Sequence, residues 1–160
     1  MTTQTIKVGI CGLGTVGQGV IALLSEGGDV LSNRVGGTIE LVHVATRTPK
    51  PEVDTLGARD SRNVFDVARD PNVDVLIELI GGTTVAKDLV VEALNQGKHV
   101  VTANKALLAD HGEELFALAE SKGVALRFEA AVAGGIPVIE AVKTSLAGNH
   151  VSSVAGIING

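Results

Sequence analysis

The sequence predicts an α/β protein of Rossmann type, with a doubly wound, mainly parallel sheet and helices on both of its faces. Three observations lead to this prediction. Short apolar runs alternate with amphipathic helical patterns along the chain. The apolar runs are nearly continuous in Val, Ile and Leu, which is typical of parallel strands covered on both faces. A glycine-rich G-x-G-x-x-G stretch joins the first apolar run to the first helical pattern.

The strand patterns are short, and glycine-rich turns follow several of them. They lie at residues 6–11, 39–46, 73–80, 98–102 and 124–129. A further apolar stretch at 151–159 has the pattern of a strand at its beginning, so we expect the chain to be a fragment that leads into another domain. The expected division is a nucleotide-binding domain at 1–135, followed at 136–160 by a helix and the first strand of a substrate and dimerisation domain.

The helical patterns connect these strands. They lie at residues 16–25, 63–68, 84–95, 110–121 and 136–146, and glycines close the first, third and fourth of them. The stretch before Gly36-Gly37 is interpreted as a polar loop, and residues 49–61 give no clear pattern.

Composition excludes several classes of function. The chain has 160 residues, a net charge of -5 and no basic stripe, so nucleic acid is not an expected partner. No apolar run is long enough to cross a bilayer, and no signal-peptide pattern precedes the first strand. Cys11 is the only cysteine, which rules out an internal disulfide and favours the cytoplasm. It lies inside the first strand pattern, where we expect a buried, unreactive thiol.

The glycine-rich stretch predicts a site for the pyrophosphate of a dinucleotide. Gly12 permits a tight turn, Gly14 allows the backbone to approach the ligand, and Gly17 lets helix and strand pack closely. The pyrophosphate would bind the N–H groups at the start of the following helix. The alternative is a glycine-rich turn that binds nothing.

Arg47 follows the second strand pattern, where NAD enzymes usually carry an acid for the ribose hydroxyls. An arginine at this position can pair with the 2′-phosphate of NADP, so NADP is favoured. NAD remains open because Arg47 can also stack on adenine. An exposed arginine without a role is the other alternative.

Two further strand ends are expected at the same edge of the sheet. Gly81 and Gly82 follow the third strand pattern, and Lys105 follows the fourth at the first turn of a helix. Helix N-termini disfavour cations, so a lysine there suggests a nearby anion, with a role in substrate positioning or proton transfer. Asn104 can cap that helix, as Thr83 or Thr84 can cap the helix before it.

Glu129 ends the fifth strand pattern and precedes a nearly apolar, glycine-containing loop. A carboxylate beside uncovered backbone carbonyls forms an oxygen-ligand set that suits a hard cation. The alternative is a helix-entry loop in which Glu129 binds the backbone.

Four stretches together resemble homoserine dehydrogenase, and they extend over nearly the whole chain. They are VGICGLGTVGQGV, VVTANKALLA, FEAAVAGGIPVIEAVKTSLAGN and GIING. The resemblance implies an enzyme that reversibly reduces aspartate 4-semialdehyde to homoserine with NAD(P)H, in threonine and methionine biosynthesis. It also implies that the full-length protein is a homodimer or homotetramer.

The resemblance assigns roles to individual residues. It implies cofactor contacts along the glycine loop, from Gly12 through Leu13, Gly14, Thr15 and Val16 to Gly17. It places Arg47 near the adenosine ribose, Gly81 and Gly82 near the nicotinamide, and Lys105 beside nicotinamide and substrate. It implies a monovalent cation, usually sodium, bound by Glu129 and the backbone carbonyls of Val132, Gly134 and Ile136.

The family pattern continues into a substrate domain that supplies a second catalytic lysine and the acids that hold the substrate amine. We therefore expect this chain to bind cofactor without useful turnover. The alternatives are another NADP-dependent oxidoreductase of amino-acid biosynthesis and a non-enzymatic NADP sensor. A semialdehyde dehydrogenase would need a nucleophilic cysteine. The histidines show no metal-ligand spacing, and His43 and His99 are expected to be hydrogen-bonded core residues.

Overall fold

A single sheet of six parallel strands forms the centre of the molecule. The structure is a computed structural model, and it describes residues 4–156. The strands are β1 (Gln4–Cys11), β2 (Gly37–Ala45), β3 (Arg59–Ser61), β4 (Val75–Glu78), β5 (His99–Thr102) and β6 (Leu126–Arg127). They lie in the order β3-β2-β1-β4-β5-β6, which is the strand order of the Rossmann fold. The predicted fold class is confirmed.

The register of the strands brings their carboxyl ends to one edge of the sheet. Cys11 pairs with Ala45 of β2 on one side and with Glu78 of β4 on the other. Glu78 pairs in turn with Thr102 of β5. The loops that follow β1, β2, β4 and β5 therefore leave the sheet at the same edge. The chain places β2 and β3 on one side of β1 and then β4 to β6 on the other side, so the strand order reverses between β1 and β4. Ligands of open α/β sheets bind at such a switch point.

Helices cover both faces of the sheet. They are α1 (Thr15–Glu26), α2 (Gly28–Val35), α3 (Val64–Arg69), α4 (Thr84–Asn95), α5 (Lys105–Lys122) and α6 (Val138–Glu140), which continues as a π-helical turn at Ala141–Ser145. A 3₁₀ turn lies at Glu129–Ala131. Among the residues described, no helix has the length and apolarity needed to span a membrane.

Two apolar cores lie against opposite faces of the sheet, because side chains alternate along each strand. Val8 and Ile10 of β1 pack with Ile21 of α1 in the first core. Cys11 faces the second core, to which α3, α4 and α5 contribute Val67, Leu89 and Leu115 among others. Burial on both faces explains why the strand patterns are apolar throughout rather than alternating.

The helix α2 contradicts the predicted polar loop. None of its residues is buried, and its apolar side chains Val30 and Val35 are exposed, so the helix does not depend on a buried face. Its end signals are nevertheless present, with Asp29 in the first turn, Arg34 in the last and Gly36 at φ 67 closing it.

Other boundaries differ as well. The helix predicted at 110–121 already begins at Lys105, and the strand predicted at 124–129 pairs with β5 only at Val100–Leu126 and Val101–Arg127. The strand predicted at 151–159 is wrong over 151–156, where the chain has no regular structure and no strand neighbour. Its remaining residues, 157–159, lie outside the described part of the chain, as does most of the GIING stretch.

Candidate cofactor-binding site

The glycine loop between β1 and α1 depends on close backbone contacts. Gly12 has φ 106, and its N–H donates to the Ala45 carbonyl at 2.8 Å. A Cβ at Gly12 would lie 2.5 Å from the Leu79 carbonyl oxygen, and one at Gly17 would lie 2.0 Å from the Gly12 oxygen. Neither position can hold a larger residue unless the loop opens, because real Cβ atoms do not approach backbone so closely.

Gly14 is the open member of the loop. A Cβ at this position would meet nothing within 4 Å, so open space lies beside it. Gly14 is also the N-cap of α1, where no side chain caps the helix and no acid occupies the first turn. Thr15 and Val16 are exposed beside it. The N-terminus of α1 thus offers uncapped backbone N–H groups and a partial positive charge to an anion.

Leu13 differs from the other residues of this loop. Its side chain is buried in the core beneath α1, and its carbonyl accepts a hydrogen bond from the Gln18 amide at 3.0 Å. Its side chain therefore cannot face a ligand in the crevice.

Arg47 lies in the loop after β2, where its side chain is exposed. A second arginine, Arg62, lies close to this loop and was missed in the sequence. Its guanidinium donates to the Thr46 carbonyl at 3.2 Å and to the Asp60 carboxylate at 2.9 Å. The short strand β3 brings it there, and no sequence signal pointed to it, because it directly follows the stretch 49–61 that gives no clear pattern.

Glu78 is the other residue that sequence reasoning missed. It is fully buried at the carboxyl end of β4, and its carboxylate accepts the Thr102 hydroxyl at 2.5 Å. The same carboxylate accepts the N–H groups of Ile80 at 2.9 Å and Gly81 at 3.4 Å. Glu78 therefore ties the loop after β4 to the end of β5.

The loop after β4 takes an unusual backbone path. Gly81 and Gly82 have φ 71 and 72, the left-handed region that glycine adopts without strain. The Gly82 carbonyl accepts the Asn104 side-chain amide at 2.6 Å. Thr83 is the N-cap of α4 but makes no side-chain cap bond, so the predicted capping role of this threonine is not observed.

Asn104 fixes the start of α5, as the sequence predicted. Its side-chain oxygen accepts the Leu107 N–H at 3.1 Å, and its own N–H donates to the Thr102 hydroxyl oxygen at 3.0 Å. Lys105 follows at the first helical position and is exposed. The cap therefore fixes the backbone from which the lysine projects.

These elements enclose a crevice at the carboxyl edge of the sheet. Its lining comes from the start of α1, the loop after β4 and the start of α5, namely Val16, Glu78, Leu79, Gly81, Ala103, Asn104, Lys105 and Ala106. The structure thus brings the glycine loop, the loop of Gly81 and Lys105 together, as the sequence predicted. Arg47 lies on the β2 side of the same edge.

Glu129 binds the backbone at the entry to α6. Its two carboxylate oxygens accept the N–H groups of Ile139 and Glu140, each at 3.0 Å. The Ile136 carbonyl accepts the Val138 N–H at 2.8 Å. Ala133 and Gly134 have φ 55 and 60, which turns the loop sharply. The backbone contacts of the helix-entry interpretation are therefore present, and the cation site stays a prediction. Within residues 4–156 no cluster of three or more His, Cys, Asp or Glu side chains is placed to bind a metal, which does not bear on a site made of one carboxylate and backbone carbonyls.

The remaining polar residues of the core are structural. Burial and the nearby Glu78 carboxylate raise the pKa of Cys11, which confirms the predicted unreactive thiol. His43 is buried and its Nδ1 lies 2.8 Å from the Asp70 carboxylate, as expected for a core histidine. His99 does not fit that expectation. Its ring accepts the Ala125 N–H at 2.9 Å, but it is exposed because it begins β5 at the edge of the core.

Comparison with known proteins supports one family. Residues 12–129 match the family model described as homoserine dehydrogenase, NAD binding domain. The homoserine dehydrogenase of Pseudomonas aeruginosa is 53% identical over 98% of the chain, and that of Neisseria gonorrhoeae is 44% identical over 98%. The chain spans about 36% of the length of these relatives.

Solved structures agree with this result. A homoserine dehydrogenase from Thiobacillus denitrificans superposes with a TM-score of 0.87 at 45% identity, over 92% of this chain and 34% of that one. A hyperthermophilic archaeal homoserine dehydrogenase in complex with NADPH has a TM-score of 0.72 at 20% identity, over 87% of this chain and 48% of that one, and so shares the fold.

Proposed function

The chain belongs to the homoserine dehydrogenase family, whose NAD-binding domain it contains, and from this premise we propose that its crevice binds NADP in preference to NAD. The geometry of the glycine loop carries the proposal. Gly14 leaves open space in front of an uncapped helix N-terminus, and this combination suits a pyrophosphate. The NADPH complex of the archaeal relative with the same fold supports the choice of ligand.

The proposed roles follow the position of each residue. Gly12, Gly14 and Gly17 shape the loop, and the backbone of Leu13, Thr15 and Val16 faces the pyrophosphate. Arg47 pairs with the 2′-phosphate of the adenosine half, and Arg62, which is paired with Asp60, holds that loop through the Thr46 carbonyl. Gly81 and Gly82 let the nicotinamide half approach the backbone.

Lys105 is the proposed catalytic residue of this chain. A bound reduced nicotinamide supplies a hydride for a substrate carbonyl carbon. Lys105 lines the nicotinamide end of the crevice, and its ammonium group can hold the substrate oxygen by hydrogen bonding as negative charge develops there. The cap made by Asn104 limits the directions in which this side chain projects.

A monovalent cation, sodium by resemblance, is a further part of the proposal. Its ligands would be the Glu129 carboxylate and the carbonyls of Val132, Gly134 and Ile136, an all-oxygen set that suits a hard cation. Each Glu129 oxygen accepts one backbone N–H and retains a lone pair, so the helix-entry contact leaves capacity for an ion.

For the whole protein we propose the reversible reduction of aspartate 4-semialdehyde to homoserine by a cytoplasmic homodimer or homotetramer. Residues 1–135 would form the cofactor domain, and 136–160 would lead into the substrate domain. The relatives are nearly three times as long as the matched region, so this chain alone is proposed to bind cofactor without useful turnover.

Cofactor choice is tested by titrating the protein with NADPH and with NADH and following the fluorescence of the cofactor. The chain has no Trp and no Tyr, so protein fluorescence does not obscure the signal. We expect Arg47→Ala to weaken NADPH binding about tenfold, the effect of losing a charged hydrogen bond, and to change NADH binding less than twofold. Arg34→Ala, on exposed α2, is the matched control. Equal losses for both nucleotides would contradict recognition of the 2′-phosphate by Arg47.

A further inference from the structure

Glu78 is a buried carboxylate whose hydrogen bonds are all donated to it. Ile80 and Gly81 donate backbone N–H groups, and Thr102 donates its hydroxyl. The Thr102 oxygen also accepts the N–H of Asn104, which leaves the Thr102 proton free to point at an ionised Glu78 carboxylate. Such a donor set satisfies an ionised carboxylate.

In the described part of the chain, the negative charge of Glu78 has no cation beside it. Among the ion pairs within 4.0 Å in residues 4–156, none includes Glu78. Dipoles alone stabilise the charge, and buried charges are little screened by salt. Its field acts on neighbouring groups, because with burial it raises the pKa of Cys11 on the adjacent strand.

Glu78 forms part of the floor of the crevice, with Val16, Gly81 and Lys105 around it. It lies on β4, which begins the second half of the sheet, made of β4, β5 and β6. When the first half of such a sheet binds the adenosine, the second half binds the nicotinamide. The nicotinamide ring carries a positive charge when it is oxidised and none when it is reduced. A fixed anion beneath it therefore acts differently on the two forms of the cofactor.

We propose that Glu78 sets the crevice's preference between the two redox forms of the cofactor, favouring oxidised over reduced nicotinamide. This proposal rests on the proposed function. Glu78 acts through its charge and through the loop that it holds, so it is a positioning residue and takes no part in bond making. Lys105 lies on the same crevice, and Glu78 offsets the repulsion between that lysine and the oxidised ring.

The test compares the dissociation constants of NADPH and NADP⁺ for folded variants, with NADPH measured by fluorescence and NADP⁺ by its displacement. Glu78→Gln removes the charge and keeps the length of the side chain. We expect it to shift the ratio of the two constants about fivefold to tenfold toward NADPH. Glu40→Gln, which removes an exposed charge on β2, should leave the ratio unchanged.

Thr102→Val separates charge from geometry. It breaks the bonds to Glu78 and Asn104 while the Glu78 charge remains, so both constants should change together and their ratio should stay within twofold of wild type. If Glu78→Gln does not fold, Glu78→Met provides the same loss of charge.

Two outcomes would overturn the proposal alone. One is a folded, charge-free variant that binds both nucleotides with the wild-type ratio. The other is a Thr102→Val protein whose ratio shifts as much as that of Glu78→Gln, which would show that geometry and not charge sets the preference. Wild-type protein that binds neither nucleotide would overturn the proposed function as well.

Discussion

Single buried polar residues organise both edges of the sheet. At the carboxyl edge Glu78 joins two loops of the crevice. At the opposite edge Asp70 accepts bonds from the His43 ring at 2.8 Å and the Asn72 N–H at 2.9 Å. The backbone carbonyl of Asp70 accepts the buried Lys98 ammonium at 2.6 Å, and burial lowers the pKa of that lysine. These bonds offset much of the cost of burying the polar groups, although the Nε2 atom of His43 is buried without a hydrogen-bond partner in the described part of the chain.

Asp70 should make the stability of the protein sensitive to acid. Burial opposes its ionisation, but the bonds from Asn72 and His43 outweigh burial and lower the pKa of Asp70. Because the folded pKa lies below the ordinary aspartate value of about 4, its stabilisation is complete above pH 4 and is lost as pH falls through the folded pKa.

We therefore expect Asp70→Asn to lower the free energy of unfolding by roughly 1–3 kcal/mol near neutral pH and by less in acid. The free energy of unfolding is measured by urea unfolding, followed by circular dichroism, between about pH 3 and about pH 7, a range that includes the ordinary aspartate pKa of about 4. Asp88→Asn, which removes an exposed charge on α4, is the control, and its free energy of unfolding should change with pH as that of wild type does. If the free energies of unfolding of Asp70→Asn and wild type differ by the same amount at every pH in this range, the stabilisation does not come from the ionised Asp70 carboxylate.

At the scale of helices and strands, the two helices that border the crevice begin differently. Asn104 caps α5 and also binds the Gly82 carbonyl, whereas Thr83 stands at the start of α4 without a side-chain cap bond. The start of α5 is therefore held by a side chain, and the start of α4 is not.

We expect Asn104→Ala to lower the free energy of unfolding by about 1–2 kcal/mol, since it removes a cap, while Thr83→Ala should change it by less than about 0.5 kcal/mol. Asn104→Asp keeps the cap acceptor and loses the donor to Gly82, so its loss should be smaller than that of alanine. Chemical unfolding compares the three variants. Equal losses for Asn104→Ala and Thr83→Ala would show that the observed cap does not stabilise α5.

Most elements that the sequence predicted have a buried face, and the helix predicted at 136–146 is an exception, because α6 and its π-helical turn bury no residue. The helix at Thr84–Asn95 was predicted with the observed bounds, because Leu89 and Leu94 are buried and Gly97 turns the chain at φ 75. The helix α2 and the strand β3 were missed because neither buries a residue. The pairing of Arg59 with His43 makes β3 a strand, and local sequence contains no trace of such pairing.

The same distinction holds in the candidate site. The glycine loop, Lys105 and Asn104 were predicted because their signals lie within a few residues of one another. Glu78 was missed because its role depends on Thr102, a partner that is 24 residues away in sequence and directly opposite in the sheet. Single-sequence patterns contain no information about such long-range partners.

At the scale of the whole molecule, the fold places every proposed cofactor residue on one edge of one sheet. The strand order reverses at β1, so loops after β1 and β4 diverge and leave the crevice between them. The adenosine half would lie toward Arg47 and the nicotinamide half toward Lys105. All of these loops lie within a chain that spans about 36% of the length of its relatives.

Binding of a dinucleotide through the glycine loop is tested most directly by an NADPH titration of three proteins. We expect saturable binding to wild type and to Gly19→Ala, since a Cβ at Gly19 meets nothing within 4 Å. Gly17→Ala would place a Cβ 2.0 Å from the Gly12 oxygen, open the loop and weaken binding at least about tenfold. Wild-type protein that binds no NADPH at millimolar concentration, or a folded Gly17→Ala protein that binds as tightly as wild type, would contradict binding through the glycine loop.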